Sequence, residues 1–353
     1  MERESGFDLN EISQARSHLL GLATLWVALF HSYHLRFLDS PLLSQLRLAG
    51  VLNRLRELGN CGVDVFLFLS GLGLYYSMTS LREAQTQHPI RRFYARRFAR
   101  ILPPVLIVSI LYYGLSGTAS LSEWLGKVFL IGSFSQAQAE LGYWYFALLS
   151  VLYLLYPLID LIQRKGGAAG IVGAILLSLI LTFAASRLFP VWFARAEIML
   201  TRIPVFLLGV QFAPWCRNHK RIPRWIPWLG VPLLVGGLFL IPMIPSGASE
   251  LRRYAYAGLT LALVLTAGLL CSLLKRKGFL WKCVCAVGTC SLEIYLLYEN
   301  LYVMDPPLFR SVDPAGIVYA LTVFAAALVL SVLLRLVVRT LREGFRPSSR
   351  NGV

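Results

Sequence analysis

Two histidines lie three residues apart in an apolar stretch near the start of the chain. The segment reads WVALFHSYH, and helical spacing places His31 and His34 on roughly one face. Imidazole exchanges protons near neutral pH, so His31 is a candidate general base. The alternative for His31 is a structural hydrogen bond to a neighbouring helix, which is common within membranes. For His34, nearer the end of the stretch, the pattern favours a structural role.

A carboxylate begins the second apolar stretch, which contains GVDVFLFLSGLGL. Asp64 is a candidate to orient a histidine in catalysis or to bind a substrate hydroxyl. The competing interpretation is a helix N-terminal cap, because carboxylates favour that end of a helix. The glycines Gly62, Gly71 and Gly73 predict close approach of neighbouring helices.

An arginine cluster, RRFYARRFAR, precedes the third apolar stretch. Guanidinium groups match phosphate oxygens in a bidentate way, so the cluster is a candidate site for a phosphorylated ligand arriving from the cytosol. Anionic lipid head groups, or simple anchoring at the cytoplasmic face, would use the same residues. The candidate ligands of the phosphates are Arg92, Arg96, Arg97 and Arg100.

Other ionisable or aromatic residues lie within or beside apolar stretches, where an unpaired charge is costly. The spacing of Glu197 and Arg202 predicts a buried ion pair, and Glu293 requires a partner. Structural pairing is the favoured role for each charge, with a place in a substrate cavity as the alternative. The set comprises Glu140, Trp144, Glu197, Arg202, Glu293, Tyr295 and Glu299.

These residues lie in a strongly apolar chain. It has 353 residues, of which 57% are hydrophobic, with a mean hydropathy of +0.63. Repeated apolar runs of about 20 residues are typical of helices that satisfy their own backbone hydrogen bonds in lipid. We therefore predict an all-α integral membrane protein, a bundle of about ten transmembrane helices. The predicted spans are 18–36, 61–79, 101–117, 141–162, 168–187, 198–215, 226–244, 254–274, 284–303 and 315–338.

The net charge of +16 follows mainly from topology. Lysine and arginine concentrate in alternate connections, which predicts that both termini are cytoplasmic. The first outer connection is an exception, with Arg47, Arg54 and Arg56. The other outer connections hold only Lys127, Arg252, Arg253 and Arg310. A nucleic-acid partner is not expected, because the chain has no basic soluble domain.

The apolar runs divide the chain into three parts. We predict a cytoplasmic leader over 1–17, a membrane domain over 18–338 and a basic cytoplasmic tail over 339–353. The polar and acidic start predicts no cleavable signal peptide.

No paired C-x-x-C spacing suggests a metal site, and the six cysteines are expected to be mostly free.

Taken in order, several segments resemble the membrane-bound acyltransferase family 3, whose members acylate sugars and other envelope molecules. GLATLWVALFH and GVDVFLFLSGLGL resemble the family's first two spans, and FYARRFARILPP resembles its Arg-x-x-Arg segment. YWYFALLSVLYLLYPLI, RIPVFLLGV and SLEIYLLYE resemble three later spans of the family. The resemblance covers essentially the whole transmembrane region.

The resemblance implies roles for particular residues. It implies that His31 is catalytic, and that Arg97 and Arg100 hold an acyl-CoA donor on the cytosolic side. Many members carry an arginine eleven residues before the histidine, but this chain has Leu20 there. Arg16 precedes Leu20 by about one helical turn, so it is a candidate substitute.

The sequence thus predicts a multi-pass acyltransferase of the cell membrane. Acyl-CoA, most simply acetyl-CoA, is the expected co-substrate, with no permanently bound cofactor. A hydroxyl of a carbohydrate or lipid-linked molecule is the expected acceptor. The rival hypothesis is a transporter or flippase in which His31 senses protons, and a third is a purely structural membrane protein.

Overall fold

The computed structural model describes residues 6–32, 35–115, 125, 143–245, 247–274, 278–302, 313 and 315–344. Within these ranges the protein is all-α apart from one short strand pair, Phe7–Asp8 with Arg221–Ile222. The helices, numbered in chain order, are α1 Asn10–Gln14, α2 Arg16–Phe30, α3 Pro41–Gln45, α4 Ala49–Glu57, α5 Cys61–Glu83, α6 Pro89–Leu115, α7 Tyr143–Leu188, α8 Pro190–Leu200, α9 Ile203–Arg217, α10 Trp225–Trp228, α11 Gly230–Leu240, α12 Ser249–Leu273, α13 Phe279–Thr289, α14 Ser291–Tyr302 and α15 Ile317–Gly344.

The structure supports a multi-pass membrane protein but does not confirm ten spans. Six helical segments among the described residues are long and apolar enough to cross a membrane. A seventh is formed if α13 and α14, which meet at a 72° bend, count as one broken span. The predicted span 284–303 therefore contains a sharp bend. The predicted span 101–117 lies within α6 as far as Leu115, and its last two residues fall outside the described part.

The predicted first span, 18–36, is longer than the helix that forms. Helix α2 has only 15 residues, so it is about 22 Å long, shorter than the apolar core of a bilayer. The helix ends at Phe30, and His31 occupies its C-terminal cap position. His34, which the sequence places on the same helical face as His31, lies outside the described residues.

The chain reverses within α7, at the boundary predicted between spans 141–162 and 168–187. Gly167 has φ 54° and ψ −138°, a left-handed conformation that glycine adopts easily. A Cβ on Gly170 would lie 2.8 Å from the carbonyl oxygen of Ile162. Eight residues of uninterrupted helix would separate these positions by about 12 Å. The close approach therefore requires the two halves of α7 to fold toward each other.

Helix α5 is the buried centre of the bundle. Most of its residues from Cys61 to Leu74 are buried, and it packs against α2, α9 and α12. A Cβ on Gly209 of α9 would lie 2.8 Å from the carbonyl carbon of Phe68, so this glycine allows the two backbones to touch. Gly62 and Gly71 also lie at close helix contacts, as the sequence predicts.

Helix α5 runs antiparallel to α2. Gly59, just before α5, lies against Trp26 and Phe30 near the end of α2, whereas Gly73 lies against Arg16 at its start. The bundle therefore has one end marked by Arg16 and an opposite end marked by His31.

The Arg16 end of the bundle carries most of the basic residues and their partners. Arg82 and Arg164 both bond to Asp160, and Arg217 pairs with Glu83. These residues come from three connections that the sequence assigns to one side of the membrane. Their meeting at a single end agrees with the alternation of charge.

The segment predicted as a polar leader packs into the main core. Leu9, Ile12 and Ala15 are buried, and the strand Phe7–Asp8 pairs antiparallel with Arg221–Ile222. The Asp8 Oδ2 atom lies 2.8 Å from His219 Nδ1. The leader is thus attached to the bundle both by its buried side chains and by the strand pair. These contacts hold the start of α2 in place.

Candidate active site

Two helices face each other across the candidate site. On α2, residues spaced by about one helical turn line its cavities: Arg16, Leu20, Thr24, Val27, Ala28 and, just beyond the helix, His31. On α14, the facing residues are Ser291, Leu292, Tyr295 and Tyr298. Such spacing places each set on one face of its helix. The seam between the helices therefore runs from Arg16 to the position of His31.

A basic cavity of about 50 Å³ lies at the Arg16 end of this seam. Its cations are Arg16, Arg97 and Arg100, and no carboxylate is among its described lining residues. Tyr145 and Tyr153 from α7 add polar rims, and Ser70 adds a hydroxyl from α5. The volume is sufficient for about three or four water molecules. We call it the arginine cavity.

Gly73 makes room for one of the three guanidinium groups. A Cβ at position 73 would lie 2.5 Å from Nη2 of Arg16, so a larger residue here would push the guanidinium group aside. The Gly73 carbonyl oxygen accepts a hydrogen bond from Nη2 of Arg97 at 3.0 Å. The glycine thereby brings Arg16 and Arg97 to the same point of α5. The sequence predicts that Gly73 allows close approach of a neighbouring helix, but the atoms nearest to it belong to the side chain of Arg16.

The arginine cavity is electrostatically incomplete. Arg16 and Arg97 are partly buried, whereas Arg100 is exposed. Like charges repel one another more strongly as water is excluded, and partly buried charges normally have carboxylate partners. In addition, the Nε atoms of Arg16 and Arg97 are buried without a hydrogen-bond partner in the described part of the chain. An anionic group with several acceptor oxygens would satisfy both requirements.

His31 lines a second, smaller cavity of about 10 Å³, with Thr24, Val27, Ala28, Tyr295 and Tyr298. The ring of His31 packs edge-on against Phe30, with 4.9 Å between centroids. Beside it, the hydroxyls of Ser32 and Tyr298 are hydrogen-bonded at 2.8 Å. The imidazole is thus half-buried and faces the bundle interior. We call this space the histidine cavity.

Tyr295 lines both cavities. Its ring is buried in an aromatic cluster, with centroids 5.5 Å from Tyr145 and 5.9 Å from Phe146. Tyr295 therefore forms part of the wall of both cavities.

Asp64 belongs to a different buried cluster. Its Oδ1 atom accepts a hydrogen bond from Nε of Arg202 at 2.8 Å, and both side chains are almost fully buried. Arg202 also donates to Asn60 at 2.6 Å and lies 4.8 Å over the ring of Trp144. The first helical turn of α5 has no side-chain cap bond. The carboxylate therefore pairs with Arg202, and the capping alternative is not observed.

The other predicted charges also find partners, although one pair differs from the expectation. Glu197 pairs with Arg253 at 2.8 Å rather than with Arg202, because Arg202 is taken by Asp64. Glu293 pairs with Arg335 of α15 at 3.4 Å, which supplies the partner that its depth requires. The side chain of Glu299 and all of Glu140 lie outside the described residues.

The structure divides the predicted site residues into two groups. Those that line the arginine or histidine cavity are Arg16, His31, Arg97, Arg100 and Tyr295. Those that line neither cavity are Asp64, Arg92, Arg96, Trp144, Arg202 and Glu293. Arg92 and Arg96 are exposed on α6. Arg202 contacts both Asp64 and Trp144 in a buried cluster, and Glu293 pairs with Arg335.

Sequence reasoning missed the residues that complete the arginine cavity. Tyr145, Tyr153 and Ser291 were not predicted, since tyrosines at span ends were assigned to the membrane interface. The spacing of Tyr145 and Tyr153, eight residues apart, places them on one face of α7 and was the available signal.

A family model described as an acyltransferase domain, of acyltransferase family 3, matches residues 19–336. The match covers most of the chain and both cavities, except for Arg16, which precedes it. No curated protein and no solved structure matched the chain.

Proposed function

Since the chain belongs to acyltransferase family 3, a family of membrane acyltransferases, we propose that it transfers an acetyl group from acetyl-CoA to a hydroxyl of an envelope carbohydrate or similar acceptor. The family establishes acyl transfer in general. The donor, the acetyl group, the acceptor and the roles of individual residues are parts of the proposal. The cell membrane is the proposed location.

The observation that carries the proposal is the shared wall of the two cavities. The arginine cavity offers three uncompensated guanidinium groups, and the histidine cavity offers a proton acceptor. A donor with a phosphorylated end and a long thioester arm matches this arrangement. Its phosphates would meet Arg16, Arg97 and Arg100, and its arm would follow the seam between α2 and α14 past Tyr295.

The proposed chemistry uses His31 as a general base. The imidazole takes the proton of the acceptor hydroxyl, and the oxygen attacks the thioester carbonyl carbon. The carbon–sulfur bond then breaks, and His31 returns the proton to the departing CoA thiolate. The products are an O-acyl ester and free CoA, so atoms and charge balance without a metal or a redox partner.

In this proposal Asp64 positions rather than reacts. Its bond to Arg202 ties α5 to α9 beside the His31 end of the bundle. A buried pair of this kind is strongly destabilising to break, because one charge is left without compensation. A role in binding the acceptor is proposed for neither Trp144 nor Arg202, whose surfaces face each other.

Replacing His31 with asparagine tests the chemical step. Asparagine keeps a polar side chain but does not accept a proton near neutral pH. Since general base catalysis contributes roughly 10²–10⁴-fold, we expect His31→Asn to reduce acetyl transfer by at least about 100-fold. The measurement is mass spectrometry of O-acetyl groups on envelope glycans, together with release of CoA thiol from acetyl-CoA by purified membranes.

His88→Asn is the matched control. His88 is exposed in the turn before α6 and has φ 51°, a conformation that asparagine tolerates. This variant should retain full transfer. Equal activity in the His31 and His88 variants would refute the catalytic assignment.

A further inference from the structure

A third polar cavity lies at the same end of the bundle as His31. It has a volume of about 40 Å³, and its polar lining comes from Arg54, Glu57, Arg252 and Tyr256. Leu238 and Ile241 contribute an apolar wall. The space holds about three water molecules, which is also the size of one phosphate or carboxylate group. We call it the outer cavity.

The outer cavity lies close to the end of α2 on the side away from the histidine cavity. The Trp26 indole donates to the carbonyl oxygen of Leu55 at 2.9 Å, within the α4 segment that carries Arg54 and Glu57. Gly59 contacts Trp26 and Phe30, directly before His31. The outer cavity is therefore connected through one layer of packed residues to the backbone that positions the imidazole.

Both arginines of the outer cavity lack a carboxylate partner among the described residues. Arg252 donates from Nη2 to the Ile244 carbonyl at 2.7 Å, while its Nε atom is buried with no hydrogen-bond partner among the described residues. Arg54 lies 5.6 Å over the ring of Phe239. No described carboxylate is within ion-pair distance of either, whereas the neighbouring Arg253 is paired with Glu197.

These arginines also depart from the charge pattern of the chain. Arg54 and Arg252 are among the few basic residues in connections that the alternation assigns to the outer side. Basic residues are depleted there in membrane proteins, so topology does not account for them. Their meeting in one cavity, from connections about 200 residues apart, suggests a shared anionic ligand.

Glu57 restricts the kind of anion. Its exposed carboxylate would repel an isolated phosphate, but it accepts hydrogen bonds from hydroxyl groups. A ligand that fits both features has an oxyanion beside hydroxyl groups, as an acidic or phosphorylated saccharide does. Phosphatidylglycerol head groups share this chemistry and are a second possible source.

We propose that the outer cavity binds the phosphate or carboxylate of an acidic saccharide acceptor, through Arg54 and Arg252, with Glu57 receiving its hydroxyls. This proposal rests on the proposed function, because it names the acceptor of that reaction. An acceptor anchored here presents its remaining hydroxyls at the end of the bundle where His31 lies.

Direct binding tests the proposal. The purified protein in phosphatidylcholine nanodiscs is titrated with glucuronate and glucose 1-phosphate, with glucose as the uncharged match, by isothermal titration calorimetry. We expect the two anions to bind and glucose to bind at least about tenfold more weakly, since each charge-assisted hydrogen bond contributes strongly. In Arg54→Gln with Arg252→Gln, the Kd of the anions should rise about tenfold or more.

The control removes one arginine from the same outer connection. Arg47 is exposed and does not line the outer cavity, so Arg47→Gln should leave the Kd unchanged. Unchanged binding in the double variant, or equal binding of glucose, would overturn the proposal. In a further arm, phosphatidylglycerol is added to the nanodiscs. If the wild type and Arg47→Gln then both lose saccharide binding, the lipid head group competes with the saccharide for the cavity, which supports the proposal. Binding of phosphatidylglycerol without any binding of saccharide would assign the site to lipid and overturn the proposal.

Failure of this proposal can be separated from failure of the proposed function. The double variant leaves the arginine and histidine cavities intact, so it should bind acetyl-CoA as the wild type does. If His31 is essential for transfer but the double variant binds saccharide normally, only the acceptor site is refuted. If saccharides bind but no acetyl-CoA is consumed, the proposed function fails instead.

Discussion

The side chain of Arg16 is the candidate substitute for the arginine that the family resemblance leads one to expect at position 20. Position 20 holds leucine where the family resemblance leads one to expect arginine, yet both Leu20 and Arg16 line the arginine cavity. They are one helical turn apart, and the Arg16 guanidinium group packs against Gly73. Our interpretation is that Arg16 supplies the guanidinium group that position 20 lacks.

Exchanging these two residues tests that interpretation. We expect Arg16→Leu to raise the Kd for acetyl-CoA by about tenfold or more, because a charge-assisted contact with phosphate is lost. Adding Leu20→Arg to that variant should restore most of the affinity, since position 20 faces the same cavity. The measurement is equilibrium binding of radiolabelled acetyl-CoA to membranes.

The exposed Arg96 provides the control for the exchange. Arg96→Gln removes one charge from the same end of the bundle but from outside the cavity, so the Kd should stay near the wild-type value. If Arg16→Leu binds acetyl-CoA like the wild type, or if adding Leu20→Arg restores no affinity, Arg16 does not contact the donor.

The helices that hold the site depend on a few direct backbone contacts. Helices α5 and α9 meet at Phe68 and Gly209, and α2 meets α13 where a Cβ on Gly288 would lie 2.9 Å from the Ser17 carbonyl carbon. Lipid provides little hydrophobic force between helices, so packing of small residues largely holds them together. The position of α2, and with it His31, follows from these contacts.

A methyl group at Gly209 should therefore destabilise the bundle. We expect Gly209→Ala to reduce the free energy of unfolding by about 1–3 kcal/mol, since the new Cβ collides with backbone that has no freedom to move aside. The measurement is thermal unfolding in detergent.

Gly258→Ala is the corresponding control in α12. No atom lies within 4 Å of a Cβ at that position, so the variant should be neutral or slightly more stable, as alanine favours helix. Equal stability of the two variants would mean that α5 and α9 are not packed at Gly209 as described.

Considered as a whole, the molecule carries different charge arrangements at its two ends. At the Arg16 end, Arg82, Arg164 and Arg217 pair with Asp160 or Glu83, and three further arginines line the arginine cavity. At the His31 end, Arg54 and Arg252 line the outer cavity, and Arg202 and Arg253 pair with Asp64 and Glu197. This polarity suits a reaction in which donor and acceptor arrive from opposite sides of the membrane.

Labelling of introduced cysteines tests this orientation. Gln87→Cys lies at the Arg16 end and Gln45→Cys at the His31 end, and both positions are exposed. In a Cys283→Ser background, which removes the exposed native thiol, a membrane-impermeant maleimide should label position 45 in intact cells. Position 87 should react only after lysis, because the enrichment of Lys and Arg in cytoplasmic loops predicts that the basic end is cytosolic. The reverse pattern would invert the proposed directions of donor and acceptor.

Much of this organisation could be read from the sequence. Apolar runs identify membrane helices because lipid leaves no other partner for backbone hydrogen bonds. The Arg-x-x-Arg spacing placed Arg97 and Arg100 on one helical face, and both line the arginine cavity. The prediction that Glu293 needs a partner was also confirmed, since a buried charge is costly wherever it lies.

Partner choice depended instead on distances across the bundle. Glu197 and Arg202 are near each other in sequence, but Asp64, 138 residues away, takes Arg202. Arg16 packs against Gly73 of α5, and α2 ends at Phe30, before the end of the predicted span. Sequence spacing describes faces of single helices, where geometry is regular. Which faces meet is set by packing between helices, and packing assigned Tyr295 its place between the two cavities.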